Sequence, residues 1–220
     1  MLTSLNEIEM TVWKAARGAG LSWGLAEEMA QAARWLADRG FAWAEPMVAC
    51  LAAVESCAGR LPVPVLCEGA WVPPAGAAAM SPALAGPLLS DLACEVAPDA
   101  PFRLRRVAQP LLILPFAARA AADLGRDFIL AWDGASYSCL RSELRAAART
   151  EPPPAVADVS LSAGQGTIPD LVRTIAGGAR HAVVPEAAEA ALERWVHRTY
   201  VPASAESRLA GAGAGLTDND

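Results

Sequence analysis

Five cysteines, two histidines, one lysine and a set of arginines and glycines are the places where chemistry could rest in this chain. Cys50 and Cys57 stand seven residues apart on one face of an expected helix and read as core. Cys67 follows Val65-Leu66 and precedes Glu68-Gly69 at the end of a short strand, which suits the rim of a pocket. A thiol becomes a nucleophile only where a helix N-terminus or a basic neighbour lowers its pKa. His181 and His197 are sixteen residues apart, and neither has a His, Cys or carboxylate at metal-ligand spacing. No metal and no resident cofactor are expected. His197 instead complements the negative end of a helix. Lys14, the single lysine, lies inside the first helix and is not expected to form a Schiff base.

Gly164-Gln165-Gly166 lies between a strand and a helix, but Thr167, Ile168 and Pro169 follow where the dinucleotide fingerprint needs a third glycine. Backbone N–H groups at that helix start could hold a carboxylate or phosphate, although a loop capped by Thr167 is the plainer reading. Arg103 and Arg105 alternate on one face of an expected strand while Phe102 and Leu104 take the other, giving a solvated face by default and an anion site as the alternative. Among seven tryptophans, most should be packing anchors, and Trp23 and Trp71 are placed for ligand stacking. No Gly-x-Ser-x-Gly elbow or Walker loop is present.

Elements that could position these groups follow from capping and periodicity. Ser4 and Glu7 have capping-box spacing, and Leu5, Ile8, Val12 and Ala15 recur at helical intervals up to Gly18 and Gly20. Ser22 is the next N-cap candidate, with Leu25, Met29, Ala32 and Leu36 as the apolar stripe of a second helix ending near Arg39-Gly40. A third starts at Glu45-Pro46 and stops before Gly59. Beyond Arg60 prolines break any helix, and 63–67 and 70–72 read as edge strands or extended loop. A helix is expected over 82–94, strands over 102–107 and 111–114, an Ala-rich helix over 116–124 and a strand over 127–132. Asp133-Gly134 signals a type I′ hairpin turn into 135–140. A short helix over 142–149 precedes the Glu151-Pro152-Pro153-Pro154 break. A strand over 156–161, a helix over 169–176, a strand over 181–184 and a helix over 185–197 complete the body.

The division expected from these signals is an N-terminal helical unit over 1–59, a mixed α/β body over 60–150, its C-terminal α/β part over 155–200 and a Gly-rich tail over 201–220. The fold class is α/β or α+β, a three-helix unit followed by a mixed sheet with flanking helices. At 220 residues the chain can bury a substantial core, and 54% hydrophobic against 19% charged residues excludes general disorder. A net charge of −6 argues against nucleic acid, whose phosphates require a basic face. The longest uncharged stretch, 69–90, carries Pro73, Pro74, Pro82 and Pro87, so no membrane span is expected. Glu7 and Glu9 stand where a leader would be apolar, and the odd number of cysteines fits buried free thiols. A cytoplasmic location is therefore expected.

Two groups of residues carry a family resemblance. Ser4-Leu5-Asn6-Glu7-Ile8-Glu9, Lys14-Ala15-Ala16-Arg17-Gly18-Ala19-Gly20 and Trp23-Gly24-Leu25-Ala26-Glu27-Glu28 open the chain, and Arg208-Leu209-Ala210-Gly211 through Asp218-Asn219-Asp220 close it. Together they resemble an uncharacterised bacterial family known only as a domain of unknown function, a likeness that takes in both ends. It brings no activity, but it implies that the acid-ended tail inserts into a cleft or a neighbouring subunit. The helix–Gly–helix pattern from Ser4 to Gly40 is also similar to the start of the malate and L-lactate dehydrogenase-like family, which uses nicotinamide cofactors. That family's helices lead into a histidine-bearing segment, whereas residues 40–46 contain no His.

The function expected from these readings is an enzyme or binding protein for a small carboxylate or amino-acid ligand, forming homo-oligomers. Trp23, Cys67, Arg103, Arg208, Asp218 and Asp220 are the candidate pocket residues. The alternative is a non-catalytic accessory subunit that docks through apolar helix faces and the tail, and nicotinamide-dependent redox chemistry comes third.

Overall fold

A computed structural model describes residues 1–141, 143–148, 153–164 and 173–200. Helix α1, Leu5–Ala19, starts at a complete capping box. Ser4 Oγ accepts the Glu7 N–H at 3.3 Å, and Glu7 Oε2 accepts the Ser4 N–H at 2.9 Å, so two amide donors with no partner in the helix are satisfied reciprocally. Its stripe Leu5, Ile8, Val12, Ala15 and Ala19 is buried, and Gly20, at φ 111°, ends it. Helices α2, Trp23–Asp38, and α3, Ala44–Ser56, complete the N-terminal helical unit.

Strand β1, Leu2–Ser4, pairs antiparallel with β10, His181–Val183, as a separate two-stranded sheet. Helix α6, Glu186–Val196, then returns to α1. Its backbone comes so close that a Cβ at Gly18 would overlap the Trp195 carbonyl, which explains a glycine within a helix otherwise chosen for helical propensity.

The main sheet has eight strands in the order β2-β3-β4-β8-β5-β6-β7-β9. These are β2 Val65–Cys67, β3 Ala70–Val72, β4 Phe102–Ala108, β5 Phe128–Trp132, β6 Ala135–Cys139, β7 Leu144–Ala148, β8 Val156–Ala163 and β9 Arg173–Ile175. Only the β3–β4 pair is parallel, which makes the fold α+β. Helices α4, Pro82–Leu92, and α5, Leu114–Leu124, cover the face bearing Phe128, Leu130 and Leu161, with Phe116 in the seam. Each of these side chains contributes roughly 1.5–3 kcal/mol by leaving water. An aromatic run, Trp35 to Phe41 (6.3 Å), Phe41 to Tyr137 (6.1 Å) and Tyr137 to Trp132 (5.1 Å), ties α2 to β6 and β5.

Several expectations are corrected. Residues 111–114 do not form a strand, because Pro110–Ile113 is a 3-10 turn running directly into α5. All four side chains are buried, and a short apolar run has no period that separates strand from helix. The helix expected over 142–149 is strand β7 in its described part, because pairing with β6 and β9 overrides the helical propensity of Arg145-Ala146-Ala147-Ala148. The helix over 169–176 lies partly outside the described residues, and its described part contains strand β9.

The Asp133-Gly134 hairpin is present, but only Gly134 has positive φ (83°), so the turn is not type I′. Glu68-Gly69, with φ of 48° and 74°, has the positive φ at both positions that type I′ requires. The Arg103/Arg105 alternation stops at a bulge where Arg105 and Arg106 together face Asp158. Asp158 takes Arg105 at 2.6 Å and the Arg106 N–H at 2.8 Å, and these bonds, Arg105 foremost, hold its carboxyl below the usual range. The cysteines are all free, but Cys67 and Cys94 are exposed rather than buried.

The α1–α6 contact yields a test. Gly18→Ala should lower stability by about 1–3 kcal/mol through overpacking. Gly24→Ala, in α2 with open space around it, should be neutral or stabilise by up to about 1 kcal/mol. Urea midpoints of the two variants should therefore move apart, and equal midpoints would refute the close contact.

Candidate functional site

The C-terminal turn of α2 supplies the first group. Trp35 and Arg39 are four residues apart, so the guanidinium lies over the indole, 4.1 Å from its centroid. Burial draws the Arg39 pKa down, and Asp38, whose Oδ2 takes Arg39 at 2.9 Å, works against that shift. The other Asp38 oxygen accepts the Gly178 N–H at 2.7 Å. The 177–178 backbone lies so near this carboxylate that a Cβ at Gly177 would overlap Asp38 Oδ2. One aspartate therefore fixes both an arginine and the segment leading from β9 to β10.

Helix α5 supplies Arg119, which donates to Gln31 Oε1 at 2.7 Å and pairs with Glu28. The connection after β6 supplies Leu140, Arg141 and Glu143. Glu143 accepts Arg145 at 2.9 Å and the Thr174 hydroxyl at 3.0 Å, and the two bonds, Arg145 first, keep its carboxyl below the ordinary range. Among the described residues Arg141 is exposed and has no ion-pair partner.

These groups border a cleft of about 500 Å³ between α2, α5 and the β7–β9 end of the sheet. Its apolar wall comes from Trp35, Ala118, Ala122, Leu140, Leu144 and Ile175. A smaller hollow of about 130 Å³ shares Trp35 and Arg119. Across the end of α2, a second cleft of about 370 Å³ is bordered by Phe41, Trp43, Glu45, His181 and Val183. The arrangement suits the binding of an anion. Arg141, which has no ion-pair partner among the described residues, can present paired donors to a carboxylate beside the apolar wall.

Of the residues singled out from the sequence, Trp23 is 65% exposed at the start of α2, 5.2 Å from the Trp13 ring and 4.7 Å from the Arg17 guanidinium. Cys67 is exposed on β2 and Arg103 on β4. None of these three lines the three cavities. Arg208, Asp218, Asp220 and the Gln165–Pro169 loop lie outside the described residues. His181 borders the second cleft, and His197 is the C-cap of α6, its ring 5.5 Å from Tyr200. Cys50 and Cys139 are buried, which pushes both thiols up to about 12 and away from nucleophilic use. Among the described residues no group of three or more His, Cys, Asp or Glu could hold a metal ion, and no helix is long and apolar enough to cross a membrane.

The cleft residues Arg39, Arg119, Arg141, Glu143 and Thr174 were not legible as a site. The one local signal was the Trp35–Arg39 spacing on an expected helix.

The architecture is that of an α+β domain with an anion-suited cleft at one end of its sheet. Residues 3–55, which run through α1 and α2 and nearly all of α3, match the model of a family described as a protein of unknown function (DUF3726). Trp35, Asp38 and Arg39 fall within that match, whereas the C-terminal motif lies beyond it. No curated protein matches the chain.

Glu143 provides a pH test. Its folded pKa is depressed from an ordinary value of 4.5, so its stabilising contribution is complete above that value and is lost as pH falls through the folded pKa. Carboxyl-carbon NMR should show a Glu143 midpoint below 4.5, moving up towards it in Arg145→Ala. A midpoint unaffected by that substitution would contradict the assigned cause.

Proposed function

We propose that this chain binds a small carboxylate-bearing molecule in the cleft between α2, α5 and the β7–β9 end of the sheet. The observation that carries the reading is the charge state of the wall. Arg39 and Arg119 are already neutralised by Asp38 and Glu28, while Arg141 faces the same cleft with no ion-pair partner among the described residues. A cation left unpaired beside an apolar wall is what an incoming carboxylate would complete. No step of bond making is assigned to the site.

The accessory-subunit reading has its own support. Trp23 and Met10, 65% and 52% exposed, flank Trp13 and Arg17 on the outer side of α1 and α2. Tryptophan and arginine are enriched among residues that dominate protein–protein binding.

Thermal melts of the full chain with a panel of carboxylic acids separate the two readings. A ligand at one hundred times its Kd should raise Tm by roughly 5–10 °C. The rise should fall to about half in Arg141→Gln and persist in full in Arg103→Gln and Trp23→Ala. No rise with any acid, or a rise indifferent to Arg141, would refute the cleft assignment.

A further inference from the structure

We infer that the ligand of this cleft is a monocarboxylate with an apolar body, and that dicarboxylates, inorganic phosphate and free amino acids are poor occupants. The inference rests on the binding reading given above and adds the chemical class. Three of the charged groups bordering the cleft are spent on each other or on neighbours: Arg39 with Asp38, Arg119 with Glu28, and Glu143 with Arg145. Arg141 alone is left among the described residues, so the wall offers one positive charge. A second negative charge on the ligand would have to break an existing pair or sit beside a carboxylate, and either costs affinity.

The α-ammonium of an amino acid meets the converse obstacle. It needs a carboxylate whose charge is not already compensated, but Glu28 pairs with Arg119, Asp38 with Arg39 and Glu143 with Arg145. The rest of the wall is apolar: Trp35, Ala118, Ala122, Leu140, Leu144 and Ile175. Its volume, about 500 Å³, falls in the range of roughly 300–1,000 Å³ that accommodates drug-sized ligands, well beyond the need of acetate. One charge and an apolar trough describe a molecule with one carboxylate and a hydrocarbon or aromatic body.

The test is titration calorimetry of the full chain with acetate, butanoate, hexanoate and octanoate, and with succinate, glutamate and inorganic phosphate. Octanoate should bind at least about thirty-fold more tightly than acetate, since burying a methylene fully is worth about fourfold and this cleft is open on one side. It should also bind at least tenfold more tightly than succinate, glutamate or phosphate. Arg141→Gln should weaken octanoate about tenfold, and Arg103→Gln should leave it unchanged. Ala122→Phe, at an exposed position of α5, should flatten the chain-length dependence while sparing acetate, and provides a second variant should Arg141→Gln not fold. Succinate, glutamate or phosphate binding as tightly as octanoate, still through Arg141, would overturn the monocarboxylate inference and leave the cleft reading standing. Octanoate binding indifferent to both substitutions, or no binding by any of the seven, would overturn both.

Discussion

The fold depends on the insertion of β8 between β4 and β5. Phe102, Arg103 and Leu104 pair with Leu161, Ser160 and Val159, while Phe128 to Ala131 pair with the other edge of the same strand. Without residues 156–163, the β2-β3-β4 half of the sheet and the β5-β6-β7-β9 half share no hydrogen bond. The buried side chains Val159 and Leu161 also complete the layer on which α5 rests. The sheet is therefore one unit although its central strand comes late in the chain, an arrangement of long-range pairing whose loop entropy is repaid by burial on one face. The cleft lies at the end of the sheet remote from the β2–β3 hairpin, where β7 and β9 pass beside the end of α2.

Charge is handled at this end by arginine. The chain has one lysine, so cations near the cleft are planar forks that stack and hydrogen-bond at once. Arg39 shows both uses, lying on Trp35 while it pairs with Asp38. Asp38 does as much in the opposite sense, bonding a cation on one oxygen and an amide on the other. The result is a rigid corner in which the orientation of α2, the path of 176–180 and the place of Arg39 are set by one side chain.

What the sequence disclosed divides along the same physical line. The capping box at Ser4 and Glu7, the apolar stripes of α1 and α2 and the strand–turn–strand at Asp133-Gly134 are local signals, and each has its counterpart in the structure. The turn at Asp133-Gly134 departs from the type I′ expectation, because a positive φ at Gly134 alone suffices there. The Ala-rich sequence of β7 favours helix in isolation, while its state is decided by β6 and β9, the latter almost thirty residues away. The cleft suffered from the same cause. Arg39, Arg119, Arg141 and Thr174 come from four separate elements or connections, and no spacing in the sequence links them. Cys67 and Trp23 drew notice because their immediate neighbours are unusual, which says little about what lies across space.

The helix geometry also orients the expected ligand. The C-terminal end of α2 is the negative end of the helix dipole, and a carboxylate placed there would be repelled. Arg39 stands at the C-cap of that helix, so part of its charge offsets the dipole and part is offset by Asp38. Little of it remains for a ligand. Arg141 comes instead from the sheet side, in the connection after β6, and no described carboxylate pairs with it. The two walls thus differ in kind: a self-neutralised helix end with the Trp35 ring on one side, and on the other a cation with no ion-pair partner among the described residues. A ligand with its carboxylate towards Arg141 and its hydrocarbon towards Trp35 and Ala122 satisfies both, and the reversed pose satisfies neither.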